Sequence, residues 1–235
     1  MNTPLHTRTN GRGSARDCEA RREEILATAT QLFAEHGFSD AMTQELADRL
    51  GVGKGTIYRY FPSKRDLFLA AADRVMRSLT AQVDAGIAGI EDGVERIARG
   101  VTAFLTFFAE RPEYVELLIQ ERAQFKDRTR PTYIEHREVR GRKWQALYAE
   151  MQEAGRLRDL GPEQISEVVG NLIYGTMFTN YFAGPGKPVA EQARDIMEVV
   201  FRGILSDSER ARLAGADLTP PACGPPAGSR PDTKA

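Results

Sequence analysis

The segment from Thr43 to Lys64, TQELADRLGVGKGTIYRYFPSK, constrains the fold more than any other part of this chain. It predicts two short helices joined by a tight turn and followed by the start of a third helix. Gly51 stands where the chain must turn sharply, a conformation that glycine adopts without steric cost. Apolar or small residues recur where two crossed helices would pack together: Leu46, Ala47, Leu50, Val52, Ile57 and Tyr60.

The polar positions of the second of these helices are suited to hydrogen bonds with phosphates and base edges. They are Lys54, Thr56, Tyr58 and Arg59. A short helix with such a face fits the major groove of duplex DNA. Thr43 and Lys64 stand at helix starts, where backbone N–H groups favour phosphate, and Thr43 is also a suitable N-cap. The segment therefore predicts a surface that binds double-stranded DNA.

The segment from Glu24 to Phe68 resembles the DNA-binding domain of TetR-type (TetR/AcrR) transcriptional regulators. The resemblance is carried by ILATATQLFAEHGF and GVGKGTIYRYFPSKRDLF. It implies a three-helix helix-turn-helix domain followed by a larger helical domain that binds ligand and dimerises. It also implies DNA-binding roles for Thr43, Gln44, Lys54, Gly55, Thr56, Tyr58, Tyr60 and Lys64, to which the residue pattern adds Arg59.

Hydrophobic periodicity predicts an all-α chain of about nine helices and no sheet. We expect a disordered arm at 1–18 and the helix-turn-helix domain at 19–80. The ligand-binding and dimerisation domain should occupy 81–206, before a disordered Pro/Gly-rich tail at 207–235. The first helix should end at Gly37. The fourth, with Ser63 as N-cap and Asp66 in its first turn, should run from about Lys64 to Ala81.

The middle of the large domain is rich in aromatic residues, most of which must pack in its core. Large rings in a loosely filled bundle can also line an apolar cavity, and the resemblance implies an inducer between helices four to eight. The candidate lining residues are Phe104, Phe108, Arg122, Phe125, His136, Trp144, Tyr148, Tyr174 and Phe178. We expect a mostly neutral lining that favours an apolar or aromatic effector, with Arg122, Gln120 or His136 orienting it.

Helices eight and nine carry broad apolar stripes that make them candidates for self-association. In the resembling family they pair with their twofold mates. The candidate interface residues are Ile165, Val168, Leu172, Ile196, Val200 and Ile204. A twofold dimer would read two half-sites of a pseudo-palindromic operator.

The preferred prediction is a ligand-responsive homodimeric repressor. A ligand-independent activator or a nucleoid-type protein on the same scaffold is the alternative. A helical enzyme is the third possibility, but no catalytic group of side chains supports it. The three histidines share no metal-ligand spacing, and no cofactor is expected. In GVGKGT, Lys54 is followed by Gly55, whereas a P-loop requires Ser or Thr there.

The basic stretch from Arg130 to Trp144 could be a second nucleic-acid surface, or a solvated face with an aromatic stripe turned to the pocket. The formal net charge of −1 does not by itself indicate a nucleic-acid partner. Cys18 and Cys223 form no disulfide framework. No apolar run is long enough for a bilayer and no signal peptide is visible, so we expect a cytoplasmic protein without a membrane partner.

Overall fold

The computed structural model describes residues 11–158 and 160–203, which form nine helices and no strand. The expected all-α fold, with a small N-terminal helix-turn-helix unit and a larger helical domain, is confirmed. The helices are α1 Gly11–Asp40, α2 Thr43–Leu50, α3 Lys54–Tyr60, α4 Lys64–Ile87, α5 Gly93–Ala109, α6 Pro112–Gln124, α7 Thr132–Glu153, α8 Pro162–Ala183 and α9 Val189–Arg202.

Helix α1 begins earlier than predicted. Residues 11–18, expected in a disordered arm, are helical, while residues 1–10 lie outside the described part of the chain. The stretch after Ser14 is rich in Ala, Arg and Glu, which are strong helix formers, so the helix extends beyond its apolar stripe. At the other end Gly37 has φ 73° and ψ 178°. The regular helix is interrupted there, as a terminating glycine predicts.

Two helix starts test the capping predictions. Thr43 is not the N-cap of α2: the helix begins at Thr43 itself, after Met42, and no side chain caps it. The Thr43 hydroxyl instead lies 3.2 Å from the Tyr58 hydroxyl on α3. Ser63 does cap α4, because its Oγ accepts a hydrogen bond from the Asp66 amide at 3.1 Å.

Two hydrophobic cores divide the molecule, and α4 belongs to both. The N-terminal core is built from α1 to α3 and the part of α4 up to Ala72. The C-terminal core takes over on α4 from Val75 and includes buried residues of α5 to α9. Two α6 region residues, Leu117 and Phe125, lie in the N-terminal core. The small domain is therefore seated on α6 as well as joined to α4.

Candidate nucleic-acid interface and ligand cavity

Gly51 forms the turn between α2 and α3. Its φ of 62° and ψ of 33° are left-handed, a conformation that favours glycine. The amides of Gly51 and Val52 donate to the carbonyls of Asp48 at 3.2 Å and Ala47 at 3.0 Å. Ile57 of α3 is fully buried against the small-domain core. One face of α3 is thereby fixed inward and the opposite face is turned outward.

The outward face of α3 carries most of the predicted DNA-binding residues. Lys54, Gly55, Tyr58 and Arg59 are exposed, and Thr56 and Tyr60 are half-buried. Tyr58 keeps 42% of its accessible surface although it is aromatic. The helix contains two basic residues and no acidic one. Such a face can donate hydrogen bonds to phosphates and base edges without repelling the duplex.

Gln44 and Lys64, which flank this face, are each held by a hydrogen bond within the small domain. Gln44 is exposed and donates to Asp48 at 2.7 Å. The ammonium of Lys64 donates to the Ser39 carbonyl at 3.1 Å and lies 4.8 Å from the centre of the Phe38 ring. Lys64 is therefore held at the start of α4 by contacts with the end of α1. Sequence reasoning did not identify Ser39 as its anchor.

Gly55 has no packing role inside the described protein. A methyl group added to it would meet no atom within 4 Å beyond its chain neighbours and the backbone of its own helix, and its φ is not positive. Glycine costs a helix interior about 0.8–1 kcal/mol relative to alanine. A contact outside the chain, such as close approach of the α3 backbone to DNA, gives a physical reason for that cost.

We expect Gly55→Ala to move stability and DNA affinity in opposite directions. The free energy of unfolding should rise by up to about 1 kcal/mol, because the methyl group meets open space. Binding to the operator should weaken at least about tenfold if the methyl group must enter the protein–DNA contact. Chemical denaturation and gel-shift titration measure the two effects. A variant that gains stability and keeps full affinity would contradict a close backbone approach.

A cavity of about 480 Å³ lies in the large domain among α5, α7 and α8, with Val83 of α4 at its wall. Four of the predicted lining residues are there: Phe104, Trp144, Tyr148 and Tyr174. Burial raises the pKa of Tyr148 to about 12 and also raises that of Tyr174. Both phenols therefore stay neutral around neutral pH.

Five predicted lining residues do not line this cavity. Phe108 is buried in the C-terminal core, and Phe178 packs against that core beside Tyr133. Arg122 is exposed and donates to the carbonyls of Lys126 and Arg128. The remaining two, His136 and Phe125, make contacts between helices. Hydrophobic periodicity does not show which helices lie next to each other.

His136 and Phe125 both face the N-terminal half of the molecule. The His136 Nε2 lies 2.8 Å from a carboxylate oxygen of Asp73 and so joins α7 to α4. Phe125 packs edge-to-face with Phe38 and Phe68 of the small domain at centroid distances of 5.0 and 5.6 Å. Gln120, considered as a ligand contact, instead accepts a hydrogen bond from the Phe38 amide at 2.6 Å.

Most of the residues that line this cavity are neutral. The cavity is also lined by charged residues of α7 and α8: Arg137, Glu138, Arg140, Arg142, Glu163 and Glu167. The spacing of Arg137, Arg140, Trp144 and Tyr148 places them on one helical face. That spacing could have identified the two arginines, but the basic stretch was interpreted as a second nucleic-acid surface or as a solvated face from which only an aromatic stripe turns to the pocket.

Some of the candidate dimer residues are exposed, and others are partly or fully buried. On α8, Val168 and Leu172 are exposed and Ile165 is half-buried; on α9, Val200 is half-buried and Ile196 is buried. Ile196 packs in the core of its own chain, so it is not an accessible interface residue in this structure. Ile204 lies outside the described residues. On α8 and α9, two exposed apolar residues were not predicted: Phe182, with 72% of its surface accessible, and Val199.

Within residues 11–158 and 160–203, no helix has both the length and the apolar character needed to cross a bilayer. Nor does this part of the chain contain a group of three or more His, Cys, Asp or Glu side chains positioned to hold a metal ion.

Comparison with known proteins agrees with this architecture. Residues 25–71 match the family model of bacterial regulatory proteins of the tetR family, and residues 90–177 match the tetracyclin repressor-like C-terminal domain. The HTH-type transcriptional regulator EthR of Mycolicibacterium smegmatis is 30% identical over 168 residues, which cover 70% of this chain and 75% of EthR.

Two further similarities extend the comparison. The HTH-type transcriptional activator FasR of Mycolicibacterium smegmatis is 31% identical over 111 residues, 47% of this chain and about half (51%) of FasR. The crystal structure of the transcriptional regulator FadR from Bacillus subtilis, in complex with stearoyl-CoA, superimposes with a TM-score of 0.66 at 17% identity. That alignment covers 78% of this chain and 99% of FadR. The chain has a helix-turn-helix unit with an outward face and a helical domain that contains a cavity, and it matches both family models. It therefore belongs to the tetR family of bacterial transcriptional regulators.

Proposed function

We propose that this protein is a repressor that binds a pseudo-palindromic operator as a homodimer and is released by a small molecule with an apolar or aromatic body. The outward face of α3 carries the proposal: Lys54, Tyr58 and Arg59 are exposed on a helix without acidic residues. Similarity of residues 90–177 to a repressor-like domain supports the sign of regulation.

Exposed apolar side chains support the homodimer. Val168, Leu172 and Phe182 lie on α8 and Val199 on α9, all accessible in a single chain. On α8 their spacing of four and ten residues keeps them near one face. An apolar stripe of this kind is covered in solution when two copies pair about a twofold axis.

The contacts of α4 connect the cavity to the DNA-binding face of α3. The first residue of α4, Lys64, is anchored beside the reader, and Val83 near its other end lines the cavity. The α7 helix, which forms one cavity wall, holds α4 through the pairs His136–Asp73 and Lys143–Asp84. A ligand that moves α7 would therefore shift α4 and the spacing of the two readers. Coupling of this kind is typically worth about 1–3 kcal/mol.

The operator can be found by capture of genomic fragments on the purified full-length protein, followed by sequencing. A promoter fusion to the recovered fragment then decides the sign: deletion of the regulator should raise transcription if it is a repressor. A fall would favour an activator, the alternative that similarity to FasR supports. Absence of any enriched fragment would reject DNA binding itself.

We expect compounds that occupy the cavity to stabilise the protein and to release the operator. At a free concentration of 100 Kd, a ligand adds about 2.7 kcal/mol to the free energy of unfolding, which thermal shift detects. The same compounds should weaken operator binding in a gel shift. Ligands that stabilise the protein without changing operator affinity would contradict ligand release and favour a ligand-independent regulator.

A further inference from the structure

Arg140 is a buried cation in the wall of the proposed effector cavity. Only 8% of the residue's surface is accessible. One guanidinium nitrogen, Nη2, donates to the Tyr174 hydroxyl at 3.1 Å, while the buried Nη1 has no hydrogen-bond partner. Arginine stays protonated in proteins, so it cannot relieve this lack of partners by losing its charge.

The surroundings of Arg140 hold it without neutralising it. Its guanidinium carbon lies 5.7 Å from the centre of the Phe104 ring. Three glutamates line the same cavity at exposed positions, namely Glu138, Glu163 and Glu167. The ion pairs of the described residues include none between these carboxylates and Arg140. An anion that entered the cavity would therefore meet a desolvated and unpaired positive charge.

A second cavity, of about 420 Å³, places further basic side chains close to Arg140. It shares Val83, Arg140 and Trp144 with the first cavity and is also lined by Arg96 and Lys143. The Nε of Arg96 is likewise buried without a hydrogen-bond partner. Lys143 is paired with Asp84 at 3.1 Å. Two buried guanidinium nitrogens without a hydrogen-bond partner, Nη1 of Arg140 and Nε of the half-buried Arg96, thus adjoin the region where the cavities meet.

We infer that the effector is an amphipathic oxyanion whose carboxylate or phosphate head pairs with Arg140 and whose apolar body lies against Phe104, Trp144 and Tyr148. The head group supplies the acceptor that Nη1 lacks, and the rings supply an apolar wall. This inference rests on the proposed function, since it names the chemical class of the effector of that same cavity.

A ligand series with one chain and four heads tests the inference on the full-length protein. Trp144 is the chain's single tryptophan and lines the cavity, so its fluorescence reports binding. The probes are decanoate, decyl phosphate, 1-decanol and decylamine, all below their micellar concentrations. We expect at least one anion to bind about ten- to hundredfold more tightly than decanol, and decylamine to bind worst. The ratio of decanoate to decyl phosphate identifies the head.

Arg140→Gln should remove the anion preference while leaving decanol affinity within about twofold. Arg99→Gln is the matched control, because Arg99 is an exposed α5 arginine that does not line either cavity. The wild-type series decides by itself if Arg140→Gln does not fold. Three results would overturn the inference. Decanol could bind as tightly as both anions, or neither anion could change the fluorescence of Trp144. The third is an unchanged preference for anions in Arg140→Gln.

Gel shifts with the same probes separate this inference from the proposed function. Operator release by decanol, without any anion advantage, would leave ligand release standing and reject the oxyanion head. If an anion binds preferentially but the operator stays bound, the oxyanion head is supported and ligand release is rejected.

Discussion

Lys54→Ala and Tyr58→Ala should each weaken operator binding by about thirtyfold or more, because every dimer loses the contact twice and each base or phosphate contact is worth about 1–3 kcal/mol. Both side chains are exposed on α3 while Ile57 holds the helix in the core. The substitutions should therefore leave the fold and the dimer intact. Gel-shift titration at moderate salt and sedimentation analysis measure the two properties.

Two control variants sharpen this test. Arg99→Ala removes an exposed cation of α5, outside the helix-turn-helix unit, and should keep full affinity. Tyr58→Phe retains the ring and removes the hydroxyl that lies beside Thr43, so it separates ring contacts from hydrogen bonding. Retention of wild-type affinity by both alanine variants would reject α3 as the DNA-reading helix.

Val168→Glu is expected to convert the proposed dimer into a monomer at micromolar concentration. Val168 has 58% of its surface accessible in the single chain, so the carboxylate should not disturb the monomer. In a twofold interface the charge appears on both subunits, where desolvation and mutual repulsion oppose pairing. Operator affinity should then fall to that of a single half-site. Sedimentation velocity and gel-shift titration measure the two effects.

Val139→Glu provides a control of similar exposure, because Val139 on α7 has 60% of its surface accessible. This variant should remain dimeric and bind the operator normally. A Val168→Glu protein that stays dimeric at low micromolar concentration would show that α8 does not form the interface. Monomers from both valine variants would mean that the loss of pairing is not specific to α8.

Features encoded within a few residues were predictable from the sequence. Gly51 marks the turn because a left-handed backbone favours glycine, and Ser63 marks the start of α4 because Asp66 follows at the capping distance. The inward and outward faces of α3 followed from helical periodicity around Ile57. Such signals are local, so they hold whatever the rest of the chain does.

Contacts between distant segments were not predictable in the same way. The end of α4 was expected at Ala81, whereas the helix runs to Ile87. Gly86 lies within it, and a methyl group there would come within 3.2 Å of Ala103 on α5, so this glycine serves close packing between helices. Arg140 was likewise missed, because a single sequence does not show that a charged helix position is covered by Phe104 and Tyr174.

The seating of the small domain on α6 has a consequence for how this protein can be dissected or recombined. Leu117 and Phe125 fill its core, and Gln120 bonds to the Phe38 amide. An N-terminal fragment cut after α4 would lose these groups and expose the Phe68 ring to water. The DNA reader is thus not a detachable module, and a chimera that grafts it onto another effector domain must carry α6 with it.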